Sequence, residues 1–121
     1  MVHGIGVDLC NINRMRQAVS RRGFVERVFS EEEIAYANKD SAAAQHFASS
    51  FAAKEAFAKA TGWGIWKMGL KSCCVKRTST GPVFVFDKCV SSKLSESGIK
   101  NVFLSLSHDS GMAIAMVVLE R

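Results

Sequence analysis

Nothing in this chain restricts its fold as much as the segment from Asp40 to Gly62, DSAAAQHFASSFAAKEAFAKATG. It is built largely from strong helix formers and has no glycine or proline before its end. Asp40 or Ser41 supplies a start signal and Gly62 a stop, so one long helix to about Thr61 is expected. Along that helix Phe47, Phe51 and Glu55 are spaced four apart and share one stripe. Two of the three are large rings that belong in a core, and the third is a carboxylate. The bland account of Glu55 is a surface ion pair with Lys59 one turn on, which stabilises a helix by about 0.2–0.5 kcal/mol. Taking a carboxylate out of water without a partner costs considerably more than that. A divalent cation at Glu55 resolves the conflict.

The rest of the chain alternates around this helix. VHGIGVDL reads as a first strand, with Ile5, Val7 and Leu9 on one face and Gly4, Gly6 and Asp8 on the other. Asn11 or Asn13 caps a short helix after it. Ser30 with Glu33 forms a capping box for a helix near 31–38. MGLKSCCVKR is a strand, Thr80-Gly81-Pro82 a turn, and VFVF the strand leaving it. Asp87 caps a helix through about Ser97, closed by Gly98. NVFLSLSH and MAIAMVVLE form a hairpin across DSG. The order is β, helices, ββ, α, ββ, an α+β domain with a mainly antiparallel sheet. The last strand is apolar on both faces, as expected for a central strand or a subunit interface.

At 121 residues the chain is read as one domain spanning 1–121. Its net charge of +5 favours an acidic partner: a phosphate ligand, an acidic protein or a nucleic acid. Cys10, Cys73, Cys74 and Cys89 lack C-x-x-C spacing and read as reduced packing residues of a cytoplasmic protein. No apolar run approaches a membrane span and no signal peptide is evident, so no membrane partner is expected.

Two carboxylates from different elements, Asp8 and Glu55, suit Mg²⁺, which takes one or two protein carboxylates together with waters and substrate phosphates. Lys54 and Lys59 flank Glu55, and Gly62 and Gly64 follow, a combination suited to a phosphate-bearing ligand. The Gly-x-Gly comes after a helix, so it is neither a P-loop nor a dinucleotide fingerprint. His108 ends LSLSH in phase with Val102, Leu104 and Leu106, which reads equally as a core-edge histidine. Arg14, Arg16, Arg21, Arg22 and Arg27 are expected to crowd the helix after Asp8.

GIGVDLCNINR, FAAKEAFAKATGWG and LSLSHD together resemble the holo-[acyl-carrier-protein] synthases, the short-chain 4′-phosphopantetheinyl transferases, along the whole chain. The resemblance implies transfer of 4′-phosphopantetheine from coenzyme A to a serine of apo acyl carrier protein, in fatty acid biosynthesis. Adenosine 3′,5′-bisphosphate leaves. It implies Mg²⁺ on Asp8 and Glu55 and a homotrimer with sites in clefts between subunits. Lys59, one turn beyond Glu55, is expected to reach a phosphate oxygen as a point charge and so to act as a further catalytic group. The coenzyme A pocket is expected to draw on Ser50, Phe51, Lys54, Gly62, Gly64, Thr80, Gly81, Pro82 and His108. Many members carry an arginine where Ser50 stands; if it holds the 3′-phosphate, His46, Lys54 or another basic residue must do so here. On that view Ser50→Arg tightens coenzyme A. Acyl carrier proteins are acidic, so Arg14, Arg21 and Arg22 are expected to dock the carrier. The rival readings are a Mg²⁺-dependent nucleotide pyrophosphohydrolase and a basic nucleic-acid-binding module. The latter lacks interleaved aromatics or a zinc-finger or RNP-like motif, and nucleic acid is not the expected partner.

Overall fold

A computed structural model of the chain describes residues 1–64 and 69–121. Its elements are β1 (Val2–Asn11), α1 (Ile12–Val19), α2 (Phe24–Val28), α3 (Glu31–Ala37), α4 (Ala43–Thr61), a 3₁₀ turn (Leu70–Ser72), β2 (Cys73–Thr78), β3 (Gly81–Phe86), α5 (Lys88–Glu96), β4 (Asn101–Asp109) and β5 (Met112–Glu120). The order and the α+β class agree with the sequence reading. The strands do not form one sheet, however. They divide into a three-stranded sheet, β1-β5-β4, and a two-stranded sheet, β2-β3, both antiparallel. Met68 of the expected strand lies outside the described residues, and the strand itself begins at Cys73.

The local signals act as their chemistry requires. Asn11 Oδ1 accepts from Arg14 N at 3.0 Å and starts α1. Ser30 and Glu33 form the reciprocal capping box of α3. Gly62 closes α4 in the left-handed conformation (φ 74°), its N–H donating to Ala58 O at 2.9 Å. The β4–β5 hairpin turns on Ser110 (φ 50°) and Gly111 (φ 77°), the two positive φ angles that a tight antiparallel turn needs. The start of α4 differs from expectation. Asp40 Oδ1 accepts from Ala42 N at 2.8 Å just ahead of the helix, and Ala42 itself provides no side-chain cap. The five arginines do not share one helix either. Arg21 and Arg22 lie in the turn before Gly23 (φ 81°), and Arg27 lies on α2.

α4 is the axis of the fold. Ala48, Ala52, Ala53, Ala56 and Phe57 are completely buried along it. Phe57 packs on Phe84 and Phe86 of the small sheet, with ring centres 5.3 and 4.8 Å apart. The face of β1 that meets the helix is the glycine face. A Cβ on Gly6 would lie 1.9 Å from Ala56 O, and one on Gly4 would lie 2.3 Å from Ala60 O. The glycines therefore admit helix backbone, not a ligand.

β5 is the central strand, and its two apolar faces have different surroundings. Ala113, Ala115, Val117 and Leu119 are completely buried under α4. On the opposite face the register aligns Ile5, Val118 and Phe103 across three strands, with Val7 beside Met116 in the next row. Ile5, Val7, Leu9, Phe103 and Met116 are each about half exposed or more. Among the described residues no helix is long and apolar enough to cross a membrane. All four cysteines are free; Cys73 is a packing residue as expected, whereas Cys89 is exposed.

Candidate active site

Because Gly4 and Gly6 seat β1 on α4, the next residue on that face, Asp8, arrives beside the last turns of the helix. Lys59 Nζ donates to Asp8 Oδ1 at 3.0 Å and to Val7 O at 3.1 Å. Lys59 thus reaches across to the strand rather than back to Glu55. Among the described residues Glu55 has no ion-pair partner. Its carboxyl is held above the usual range, first by partial burial and then by the charge of Asp8, with Lys59 pulling the other way. Cys10, two residues beyond Asp8 on the same face, has its thiol pushed up to about 11 by burial, then by Asp8 and Glu55. It stays a neutral thiol at neutral pH and is no nucleophile.

Two carboxylates with one ammonium, which is bound to Asp8, leave a net negative site. That is a place for a cation. Among the described residues no three metal-ligating side chains converge. The donor set is therefore an incomplete one, of the kind that Mg²⁺ completes with water and phosphate oxygens. The Lys59 side chain is 55% exposed and the Asp8 side chain 17%, so the lysine has room to leave the aspartate for an anion.

One shallow cavity adjoins the pair, and a second lies farther along β1. The first, of about 370 Å³, is lined by Val7, Asp8, Leu9, Lys59 and Ile114. The other, of about 320 Å³, is lined by Leu9, Cys10, Asn11, Arg14, Met15, Ala18, Arg21, Phe24 and Phe51. Phe51, Arg14 and Arg21 are thus brought to the strand that carries Asp8. Arg22 is exposed on the turn beyond. His108 is exposed, so the core-edge reading fails for it. It lies on the helix-covered face of the sheet, in the row of Ala113 and Cys10 and next to the row of Asp8.

Two sequence-based assignments are corrected. Lys54 is completely buried. Its three protons are spent on Glu33 Oε1 (3.0 Å), Leu70 O (2.7 Å) and Cys73 O (2.6 Å). No donor is left for a phosphate. Ser50 is 3% exposed and accepts from Arg77 Nη1 at 2.9 Å. An arginine at position 50 has no room, so Ser50→Arg is expected to cost stability by overpacking rather than tighten a ligand. His46 is engaged by Asp40 at 3.1 Å. Gly62 and Gly64 (φ 78°) adopt left-handed conformations with open space where a Cβ would stand. Thr80, Gly81 and Pro82 lie at the tip of the β2–β3 hairpin on the separate small sheet. No hydrogen bond or ion pair among the described residues joins them to Asp8 or Glu55. The sequence reading did not single out Arg77. Its only signal was a basic residue in the strand after the long helix, and nothing local links position 77 to position 50.

Known proteins resemble this chain in sequence and in fold. A family model described as the 4′-phosphopantetheinyl transferase superfamily matches residues 4–115. The holo-[acyl-carrier-protein] synthase of Geotalea daltonii is 38% identical over 125 residues, covering all of both chains. That of Ruthia magnifica is 41% identical over 125 residues, covering 99% of this chain and 98% of its own. Among solved structures, the Neisseria meningitidis enzyme superposes with a TM-score of 0.91 at 32% identity over the full length of both chains. The Helicobacter pylori enzyme, solved in complex with coenzyme A, gives 0.83 at 32% identity, covering 96% of this chain and 99% of that one. The matched region contains Asp8, Glu55 and Lys59, and the chain belongs to the 4′-phosphopantetheinyl transferase superfamily, with the holo-[acyl-carrier-protein] synthases as its kin.

Proposed function

We propose that this enzyme transfers the 4′-phosphopantetheine arm of coenzyme A to a serine of an apo acyl carrier protein and releases adenosine 3′,5′-bisphosphate. The observation that carries the reading is the carboxylate pair on two different elements, Asp8 on β1 and Glu55 on α4, with Lys59 as the adjoining ammonium. The serine oxygen attacks the β-phosphorus of coenzyme A, the bond from that phosphorus to the bridging oxygen breaks, and the bridging oxygen leaves on the bisphosphate. Asp8 and Glu55 hold Mg²⁺, which when bound neutralises charge on the diphosphate. Glu55, whose proton affinity is already raised, accepts the serine proton directly or through a water. Lys59 moves from Asp8 to a phosphate oxygen as a point charge. Thr80, Gly81, Pro82, Gly62, Gly64 and His108 line the nucleotide pocket, and Phe51 the approach to it.

The bare apolar face of β1-β5-β4 supports a homotrimer, in which each site lies in a cleft between copies. A row of exposed apolar side chains across three strands is what a subunit contact covers. Sedimentation equilibrium at micromolar protein is expected to give about three monomer masses, one closed cyclic assembly; a fully active monomer contradicts a shared cleft. Arg14, Arg21 and Arg22 on and after α1 receive the acidic carrier, next to the cavity that Phe51 lines. Replacing Arg14 and Arg21 by glutamate raises the apparent KM for carrier and leaves coenzyme A binding unchanged. The enzyme works in the cytoplasm as one domain.

Mixing the chain, coenzyme A, Mg²⁺ and apo carrier protein tests the reaction. The expected result is a carrier heavier by one phosphopantetheine, dependent on the metal. Release of the bisphosphate without carrier identifies a pyrophosphohydrolase instead and overturns the transferase reading.

A further inference from the structure

The contact between Lys59 and β1 bears on when the site takes up a metal. The ammonium has three protons, and two of them go to the strand: one to Asp8 Oδ1 at 3.0 Å and one to Val7 O at 3.1 Å. β1 is an edge strand of its sheet, and Lys59 reaches over that edge from α4. Among the described residues no other side chain is bonded to Asp8. Two bonds to neighbouring residues of one strand hold the ammonium on the aspartate, while its third proton faces water.

Charge makes this contact consequential. Asp8 and Glu55 with Lys59 sum to one net negative charge. Mg²⁺ requires carboxylate oxygens at about 2.0–2.1 Å. An ammonium 3.0 Å from Asp8 Oδ1 already satisfies that oxygen and repels a second cation brought to it. A diphosphate meets the opposite obstacle, because the site it approaches is negative overall. Each ligand alone therefore meets a site balanced against it. With both present the conflict disappears: the two carboxylates face the cation, and the ammonium, whose side chain is more than half exposed, turns to the phosphates.

We infer that Lys59 is an internal counter-ion that keeps Asp8 closed to the metal until a diphosphate draws it away, so that the chain takes up Mg²⁺ and its diphosphate ligand as one coupled event. The inference rests on the function proposed above for the identity of that ligand. It adds a regulation of the same site: the chain by itself does not collect the metal, and the diphosphate opens the place for it.

Titration calorimetry without carrier protein tests this on the unaltered chain, Lys59→Met, Lys59→Gln and Arg14→Gln, each first checked for a cooperative melt. With no other ligand present, Mg²⁺ is expected to bind Lys59→Met about tenfold more tightly than the unaltered chain, although the same substitution weakens coenzyme A. In the unaltered chain coenzyme A tightens Mg²⁺ by about tenfold to a hundredfold, and Mg²⁺ tightens coenzyme A by the same factor, as linkage requires. In Lys59→Met that factor falls by about tenfold. Lys59→Gln also removes the charge and carries the test if Lys59→Met does not fold. Arg14→Gln removes a nearby cation that makes no bond to Asp8 and is expected to leave Mg²⁺ affinity within about twofold.

Equal Mg²⁺ affinity in the unaltered and Lys59→Met chains means that Lys59 only holds phosphate, and the inference falls. It falls as well if Arg14→Gln tightens Mg²⁺ as much as Lys59→Met does, since the effect is then one of overall charge. The proposed function fails separately. Coupled binding of Mg²⁺ and coenzyme A with no gain in mass on apo carrier protein overturns the transferase reading and upholds the counter-ion. Transfer by a chain whose Lys59→Met variant binds Mg²⁺ no more tightly overturns the counter-ion alone.

Discussion

Two acid–lysine pairs join α4 to its surroundings, and both measure 3.0 Å. One is Glu33–Lys54, with both side chains wholly buried; the other is Asp8–Lys59, with the lysine side chain 55% exposed. Their lysines are five residues apart on the same helix. Distance therefore says nothing about which pair is structural and which is available for chemistry. Lys54 has every proton bonded inside the protein, and Glu33 ties α3, α4 and β2 together through Lys54 and Val75 N. Removing either partner leaves a buried charge. Lys59 faces water while it holds Asp8, and one turn behind it stands Glu55, a carboxylate with no ion-pair partner among the described residues. The buried pair gives rigidity, and the open pair gives a charge that can be exchanged for a ligand's.

The contrast predicts where function and stability separate. The largest effect is expected at the open site. Asp8→Asn and Glu55→Gln each lower transfer by about a thousandfold, roughly 4 kcal/mol of barrier, while circular dichroism and oligomeric state stay the same. Near-normal turnover at limiting Mg²⁺ in either variant removes the metal assignment.

Lys54→Met is expected to cost about 3–5 kcal/mol in urea unfolding, because it strands the Glu33 carboxylate in the core. Adding Glu33→Gln recovers part of that loss. A stable Lys54→Met with impaired coenzyme A binding would restore Lys54 to the ligand site and erase the contrast. Lys59→Met changes stability by only about 0–1 kcal/mol, the range of exposed pairs, yet slows transfer.

The smallest effect is a pH dependence. Glu55 titrates above its ordinary value of 4.5 in the folded chain. Between the unfolded and folded values the native state holds a proton that the unfolded state has lost, so this group lowers stability as pH rises through that window. Without metal, Glu55→Gln is therefore expected to melt slightly higher than the unaltered chain at neutral pH and to coincide with it below the carboxylate range. Mg²⁺ with coenzyme A should reverse the neutral-pH order, since only the unaltered chain gains from the bound cation. Identical melting curves at both pH values would show that Glu55 titrates no higher in the folded chain than in the unfolded one.

Much of this molecule was legible from short-range signals. Asn11, the Ser30–Glu33 box, Gly62, Asp87 and the Ser110-Gly111 turn each stop or start an element through bonds made within a few residues. The conflict at Glu55, a carboxylate in line with Phe47 and Phe51, was also visible in the spacing of one helix, and with Asp8 it pointed to the site. What was misread depended on partners far along the chain. Lys54 and Lys59 look alike in FAAKEAFAKA, yet the first meets Glu33, Leu70 and Cys73 and the second meets Val7 and Asp8. The alternation of β1 marked its two faces correctly but not which one the helix would cover. Side-chain periodicity records how many faces a strand has; contact with α4 at Gly6 chose the bare one for the core. Capping and turn energies act over a few residues and are written in local order. The roles of Ser50, Lys54 and Arg77 come from burial and from hydrogen bonds between residues about 20 to 30 positions apart, which no local pattern records.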